Sequence, residues 1–245
     1  MLHPRARAAC FMGGGAGAGA LKSNAKGQDV MAQEQTKNTR RVQDELGAAY
    51  ATPIRMYGVV EESIVDGPGL RFSAFVQGCS HHCPGCHNRE SQPREGGYLS
   101  TVGELCERIA NNASVSGVTL TGGEPFEQPE ACLALARWCK TRGLSVWAYS
   151  GYCYEDILAG NVPGHKAQDA SQACRGNAAR CAARALLDVC DVLVDGPFVM
   201  EKRSYDLHWK GSSNQRVIDL VETRRLGCMV LWRDEIMDFA APENW

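Results

Sequence analysis

RFSAFVQGCSHHCPGCHN, Arg71 to Asn88, decides how the rest of this chain is read. Its first part, Arg71–Gln77, is a short apolar run bounded by turn residues and reads as a buried strand. Its second part, GCSHHCPGCHN from Gly78, carries Cys79, Cys83 and Cys86 in the spacing C-x3-C-x2-C. Three thiolates this close together offer soft ligands to a metal centre. A structural zinc site takes four protein ligands, and an electron-carrying 4Fe-4S cluster takes four cysteines. Three suggest a cluster with one iron open to an outside molecule, a catalytic arrangement at the carboxyl end of a strand.

The 245 residues, 44% of them hydrophobic, suffice for one cored domain with appendages. A net charge of −2 and a pI near 6.3 provide no basic footprint, so nucleic acid is not an expected partner. No run of about 18 apolar residues is present, so no membrane-spanning helix and no membrane partner is expected. Twelve cysteines in so long and core-rich a chain read less as a disulfide framework than as the thiols of a reducing compartment, the cytoplasm. Cys106, Cys132, Cys139, Cys190 and Cys228 fall within apolar patterns and are expected to be small buried side chains.

Residues 1–50 differ in texture from the remainder of the chain. GGGAGAGA, Gly13–Ala20, and a Gln-, Asn-, Lys- and Glu-rich run from Gln28 to Glu45 read as a flexible or disordered extension. Arg5, Arg7, Lys22 and Lys26 precede the first acidic residue, Asp29, which leaves organelle targeting as an alternative to a cytoplasmic location; Met31 and Met56 are alternative starts. The informative domain is expected over 51–235, with a polar tail at 236–245.

Within that domain MYGVVEESI reads as a strand or strand pair, and DGPG, Asp66–Gly69, as a turn. After the cysteine loop, STVGELCERIAN (Ser100–Asn111) opens with a Ser/Thr cap and has helical spacing. GVTLTGGEP reads as a strand ending in a glycine turn, followed by a helix over Pro129–Thr141. LSVWAYSGY (Leu144–Tyr152) is a further strand, with a short helix near Tyr154–Ala159. Asn161–Arg180 lacks clear periodicity and reads as an insertion, centred on 161–180, with a helix resuming near Ala178. DVLVDGPF (Asp191–Phe198) is another strand, and two more are expected near Gln215–Val221 and Cys228–Trp232. Alternating strands and helices predict a parallel sheet with function at its carboxyl edge. About 180 residues are too few for eight βα units. The expected fold is α/β, a partial, open βα barrel of about five or six parallel strands.

TGGEP, Thr121–Pro125, lies at the end of the strand after the cysteine loop. Gly122 and Gly123 would let a ligand approach the backbone, and Glu124 adds a carboxylate suited to an ammonium group, although Gly-Gly-Glu is also an ordinary turn. With these residues in view the chain resembles the radical S-adenosylmethionine superfamily. VDGPGLRFSAFVQGCSHHCPGCHN, TLTGGEPF, VWAYSGY, VLVDGPFV and WKGSSNQRV together are similar to the anaerobic ribonucleoside-triphosphate reductase activating proteins. The resemblance spans about Met56 to Leu220, interrupted by Asn161–Arg180.

The resemblance implies a 4Fe-4S cluster bound by Cys79, Cys83 and Cys86, with S-adenosyl-L-methionine on the fourth iron. It implies an activase that cleaves this cofactor to a 5′-deoxyadenosyl radical and abstracts hydrogen from a glycine of a partner reductase. Gly122, Gly123 and Glu124 would meet the methionine end, and Gly85, Cys86 and His87 would lie near adenine. Many superfamily members have an aromatic residue where this chain has Gly85. Tyr149, Ser150 and Asp195 are candidates for ribose or methionine contacts, and Asp195 reads equally as a turn cap. A low-potential electron donor such as flavodoxin or ferredoxin is implied.

His81, His82 and His87 read as loop residues, because an added protein ligand would close the iron that catalysis needs open. Trp209, Ser212, Asn214 and Arg216 suit either a partner interface or a satisfied turn. The alternatives are a pyruvate formate-lyase activating enzyme or another glycyl-radical activase, a radical enzyme forming a deazapurine carboxylate, and a non-catalytic iron-sulfur protein using a fourth cysteine.

Overall fold

The chain was analysed as a computed structural model that describes residues 20–162 and 170–233, with side chains over 30–162 and 178–233. Its strands are β1 (Pro53–Ser63), β2 (Arg71–Val76), β3 (Tyr98–Thr101), β4 (Gly117–Gly122), β5 (Ser145–Tyr149), β6 (Val192–Asp195) and β7 (Arg216–Asp219). They form one sheet in the order β3-β1-β2-β4-β5-β6-β7. Only β2, β4, β5 and β6 are mutually parallel. β1 runs antiparallel to both β2 and β3, and β7 antiparallel to β6. The expectation of five or six parallel strands is therefore corrected to four. For β1 the reason lies in the connection: parallel neighbours need a crossover of a dozen or more residues, and the segment carrying the DGPG turn between β1 and β2 is too short for one.

The four parallel strands are buried along almost their whole length, as RFSAFV and VLVD require. Their register places the ends of β2 and β4 side by side, with Val76 opposite Gly122. The loops after β2, β4, β5 and β6 consequently leave from one edge of the sheet.

Helices α2 (Val102–Ala110), α3 (Pro129–Thr141) and α5 (Ala170–Val189) contribute to the main core, into which β5 turns Val146 and Ala148. Thr101 caps α2, accepting the Glu104 backbone N–H while the Glu104 carboxylate accepts the N–H of Thr101, so both end groups are satisfied. The alternate β5 residues Trp147 and Tyr149 belong to a second cluster that includes Trp209 and Trp232. Beside Trp147 lies Arg71, only 1% exposed, which donates to Thr119 Oγ1 at 2.7 Å, Val118 O at 2.7 Å and Ser145 Oγ at 2.9 Å. One guanidinium thus ties β2 to β4 and β5, and its burial lowers its pKa to about 10.

Three expectations differ from the structure. Residues 20–46 form helix α1 (Ala20–Leu46), whose Val42 is fully buried and whose Glu45 accepts from Trp138 Nε1 at 2.8 Å. The polar composition of this stretch conceals one anchoring face. Helix α5 starts at Ala170, well before the expected position, and from Ala179 its Ala182, Ala183, Leu186 and Leu187 supply a buried stripe of partly small residues against α3. The expected strand over Cys228–Trp232 is reduced to one bridge, Ile218 to Leu231, and Cys228 is exposed, not buried. The remaining helices are α4 (Tyr154–Ala159) and α6 (Leu220–Leu226). Residues 1–19, the insertion's 163–169 and the tail at 236–245 lie outside the described residues.

Candidate cluster site

The cysteine loop is rooted by its backbone. Gly78 N–H donates to Ser91 O at 2.7 Å and Cys79 N–H to Gln92 O at 2.9 Å, which folds the loop back on its own exit. Gly123 N–H donates to Val76 O at 2.7 Å and Glu124 N–H to Gly78 O at 2.8 Å, which joins the loops after β2 and β4. The glycine pair makes this approach possible. Gly122 has φ +93°, and a Cβ there would stand 2.6 Å from Phe75 Cα; one at Gly123 would stand 2.3 Å from Gly78 O. The close approach these glycines serve is first that of backbone to backbone.

Glu124 is 1% exposed and its carboxylate is already well supplied with donors. It accepts the Phe126 N–H at 3.0 Å, the Gly151 N–H at 2.8 Å and the Ser150 hydroxyl at 3.1 Å, and His81 Nε2 lies 3.1 Å away. Burial pushes the His81 imidazole pKa down, but the hydrogen bond and charge of Glu124, with the charge of Glu127, outweigh it and hold it above its usual value. The carboxylate read from sequence as a free partner for an ammonium group is thus a hub that fixes the loops after β2, β4 and β5.

These loops enclose a cavity of about 410 Å³. Cys79, Cys83, Cys86 and His87 line it together with Gly122, Gly123, Glu124, Tyr149 and Ser150, and Trp209 and Lys210 belong to the same lining. The three sequence-predicted cysteines are brought together, and among the described residues no other cysteine lines this space. Cys106, Cys132, Cys139 and Cys190 are buried in the core, as their apolar settings predict.

Burial, more than any other influence, pushes the Cys79 thiol up to about 12 and also raises Cys83. Such a thiol becomes a thiolate when a soft cation replaces its proton. Among the described residues no three His, Cys, Asp or Glu side chains are drawn together as around one ion. The donor set, three thiols lining one cavity without being gathered around a single point, suits a multi-iron cluster in which each thiolate would take its own iron.

Two expected residues are placed elsewhere. Asp195 is 1% exposed and does not line the cavity; it accepts from Arg216 Nε at 3.0 Å and from the Tyr154 N–H at 2.7 Å. Its carboxylate is spent on joining β6 to β7 and α4, so its ribose or methionine contact is withdrawn. Gly85, at φ +73°, is backed by Met200, whose Sδ would be 2.7 Å from a Cβ there. Of the histidines, His82 is exposed and His87 packs near Phe198 at 5.7 Å between ring centroids, whereas His81 is half-buried on Glu124.

The WKGSSNQR segment resolves into a turn stitched to DGPF. Gln215 Oε1 accepts from the N–H of Gly211 at 2.8 Å and of Ser212 at 3.1 Å, while Gln215 Nε2 donates to Gly196 O at 2.9 Å. Asn214 Nδ2 donates to Pro197 O at 2.8 Å. Ser212, Asn214 and Arg216 are thereby committed within the fold, and Trp209 and Lys210 are carried to the cavity. Sequence reading missed Lys210, Phe198 and the buried Glu127; the spacing of Glu127 three residues after Glu124 is the signal that could have drawn attention to it.

Comparison with known proteins places the chain as a whole. A family model described as a 4Fe-4S single cluster domain matches residues 65–218. The anaerobic ribonucleoside-triphosphate reductase-activating protein of Enterobacteria phage T4 is 32% identical over 160 residues, covering 62% of this chain and 86% of that protein. The pyruvate formate-lyase-activating enzyme of Clostridium pasteurianum is 35% identical over 113 residues, 42% of this chain and 48% of that one. Among solved structures, QueE from Escherichia coli matches 41% of this chain and 52% of its own at 16% identity, with a TM-score of 0.29. With the single-cluster model spanning most of the chain, and with a relative matched along most of its own length, the chain belongs to the anaerobic ribonucleoside-triphosphate reductase-activating protein family.

Proposed function

We propose that this chain is a radical S-adenosylmethionine activase that generates the glycyl radical of an anaerobic ribonucleoside-triphosphate reductase. The observation that carries the reading is that Cys79, Cys83 and Cys86 line one cavity together with the Gly122–Glu124 turn. These thiolates would hold a 4Fe-4S cluster through three irons. When bound, the cluster supplies the electron that splits S-adenosylmethionine into methionine and the 5′-deoxyadenosyl radical that takes hydrogen from glycine.

The protein's own part is orientation and shelter. Gly122 and Gly123 offer backbone at the methionine end, while Glu124 orders Ser150, Gly151 and His81 around it. Tyr149 and Ser150 would serve that end and Cys86 and His87 the adenine, while Lys210 adds a cation to the cavity lining. In the finer fold reading, the four parallel strands with their antiparallel flanks act as an incomplete barrel whose open side admits a partner polypeptide. An external low-potential donor, flavodoxin or ferredoxin, would reduce the cluster in the cytoplasm. No helix among the described residues is long and apolar enough to cross a membrane.

The experiment is anaerobic reconstitution, reduction, and electron paramagnetic resonance with and without S-adenosylmethionine, followed by incubation with the reductase. A spectrum that changes with the cofactor, 5′-deoxyadenosine, and a glycyl-radical doublet on the reductase are expected. Cys79→Ala, Cys83→Ala and Cys86→Ala should each abolish the signal, whereas Cys132→Ala should keep it. No spectral change and no 5′-deoxyadenosine would refute the radical reading. The 35% identity to a pyruvate formate-lyase-activating enzyme favours a second reading; a doublet on a formate-lyase with the reductase silent would establish it.

A further inference from the structure

Two carboxylates three residues apart grip the two residues that come after Cys79. Glu124 meets His81, and Glu127, at the end of the short turn Pro125–Glu127, meets Ser80. The Glu127 side chain is 4% exposed and does not line the cavity, so neither solvent nor a ligand there accounts for its burial. Its Oε1 accepts the Ser80 N–H at 3.0 Å, the Ser80 hydroxyl, and the Tyr152 hydroxyl at 3.0 Å. Its Oε2 accepts from Arg94 Nη2 at 2.8 Å. The Tyr152 ring in turn meets the His81 ring edge-on, 4.3 Å between centroids. One buried carboxylate therefore joins the entry of the cysteine loop, the segment just beyond its exit and the loop after β5.

We infer that Glu127 is a positioning residue for the cluster loop, fixing the direction in which Cys79 enters the cavity through its hold on Ser80. The inference rests on the reading of Cys79 as a cluster ligand. A buried carboxylate with several donors holds a loop more stiffly than a neutral side chain would. Groups that orient metal ligands influence both occupancy and the electronic environment of the centre.

The test uses the full chain, reconstituted anaerobically as wild type, Glu127→Ala and Glu127→Gln. Iron and sulfide retained after gel filtration and the g-values of the reduced cluster are measured, and cooperative unfolding of the apo chains serves as the folding control. Glu127→Ala is expected to retain about tenfold less iron and to shift the g-values. Glu127→Gln keeps an oxygen acceptor for Ser80 and Tyr152 but loses the charge and the acceptor for Arg94, and is expected to recover both in part. Wild-type iron content and g-values in Glu127→Ala overturn the inference, as do equal losses in the two variants. If Glu127→Ala does not fold, Ser80→Ala combined with Tyr152→Phe decides: a weakened, shifted cluster supports the inference and an unchanged one overturns it. A wild-type chain that holds no cluster overturns the underlying reading and this inference with it, whereas unchanged variants overturn this inference alone.

Discussion

Arg216, the first residue of β7, binds both carboxylate oxygens of Asp195, the last residue of β6, across an antiparallel pair. Its guanidinium also reaches Glu155 on α4, at 3.0 and 2.7 Å. DGPF and GSSNQR, separate in sequence, are therefore two halves of one device that closes the last antiparallel step of the sheet and contributes Gly196, Phe198, Gly211 and Gln215 to the cavity lining.

Arg216→Ala would leave Asp195, 1% exposed, with the Tyr154 N–H but without its cation. A carboxylate stranded in this way costs about 2–3 kcal/mol, read as a lowered denaturant midpoint of the apo chain. Arg216→Lys should recover less than half of this, because an ammonium cannot reproduce the forked contact to Asp195 together with the contact to Glu155. Equal stability of the Lys variant and the wild type would show that only charge matters here.

Gly123→Ala tests the joint between the loops after β2 and β4. A methyl 2.3 Å from Gly78 O has no room, and the obstacle is backbone with hydrogen bonds on both sides. The expected cost is about 1–3 kcal/mol, and the displaced Gly78 should lower cluster retention as well. Gly143→Ala, with nothing within 4 Å of its Cβ, bears only the strain of φ +73° and should leave cluster retention unchanged.

Legibility tracked the physics of each element. RFSAFV and VLVD were readable as strands because burial on both faces leaves an uninterrupted apolar run, and the close sequence spacing of Cys79, Cys83 and Cys86 leads to their lining one cavity. The direction of β1, β3 and β7 was not readable from those runs, since an apolar strand has the same pattern in either orientation; the short β1–β2 connection carried that information for β1, whereas the connection from Asp195 to Arg216 is long enough for either direction. Asp195 misled for a different reason. A carboxylate at a strand end looks alike whether it faces a ligand or Arg216, and its partner lies 21 residues away. Glu124 lines the cavity, but its donors come from segments that sequence alone does not bring together.

Helix α1 gives a prediction that separates an integral element from an appendage. Val42 is fully buried, and Thr39 Oγ1 donates to Glu107 Oε2 at 3.1 Å on α2. Val42→Asp should destabilise the apo chain by about 2 kcal/mol or more, since an unpaired carboxyl replaces an apolar contact. Val30→Asp, at a position 60% exposed on the same helix, should change stability by less than about 0.5 kcal/mol. Equal and negligible effects from both would show that α1 does not dock.

Alkaline stability should report the buried thiols. Burial raises Cys106, Cys132 and Cys190 above the usual thiol range and takes Cys139 to about 12. In the unfolded chain each releases its proton near pH 9, while in the folded chain each still holds it. The unfolded state then binds fewer protons, so stability present below about pH 9 is lost as pH rises toward the folded values, by up to about 1.4 kcal/mol per pH unit for each thiol. Denaturant midpoints of the reduced apo chain should therefore fall between about pH 8.5 and 10. Cys139→Ala should remove one thiol's share of that slope while also costing some stability at pH 7 through the lost sulfur. Arg71 works in the opposite sense only above its own lowered value of about 10, where the folded guanidinium gives up its charge first. A flat profile through pH 10, or a slope unchanged in Cys139→Ala, would show that these thiols reach solvent and ionise in the folded chain.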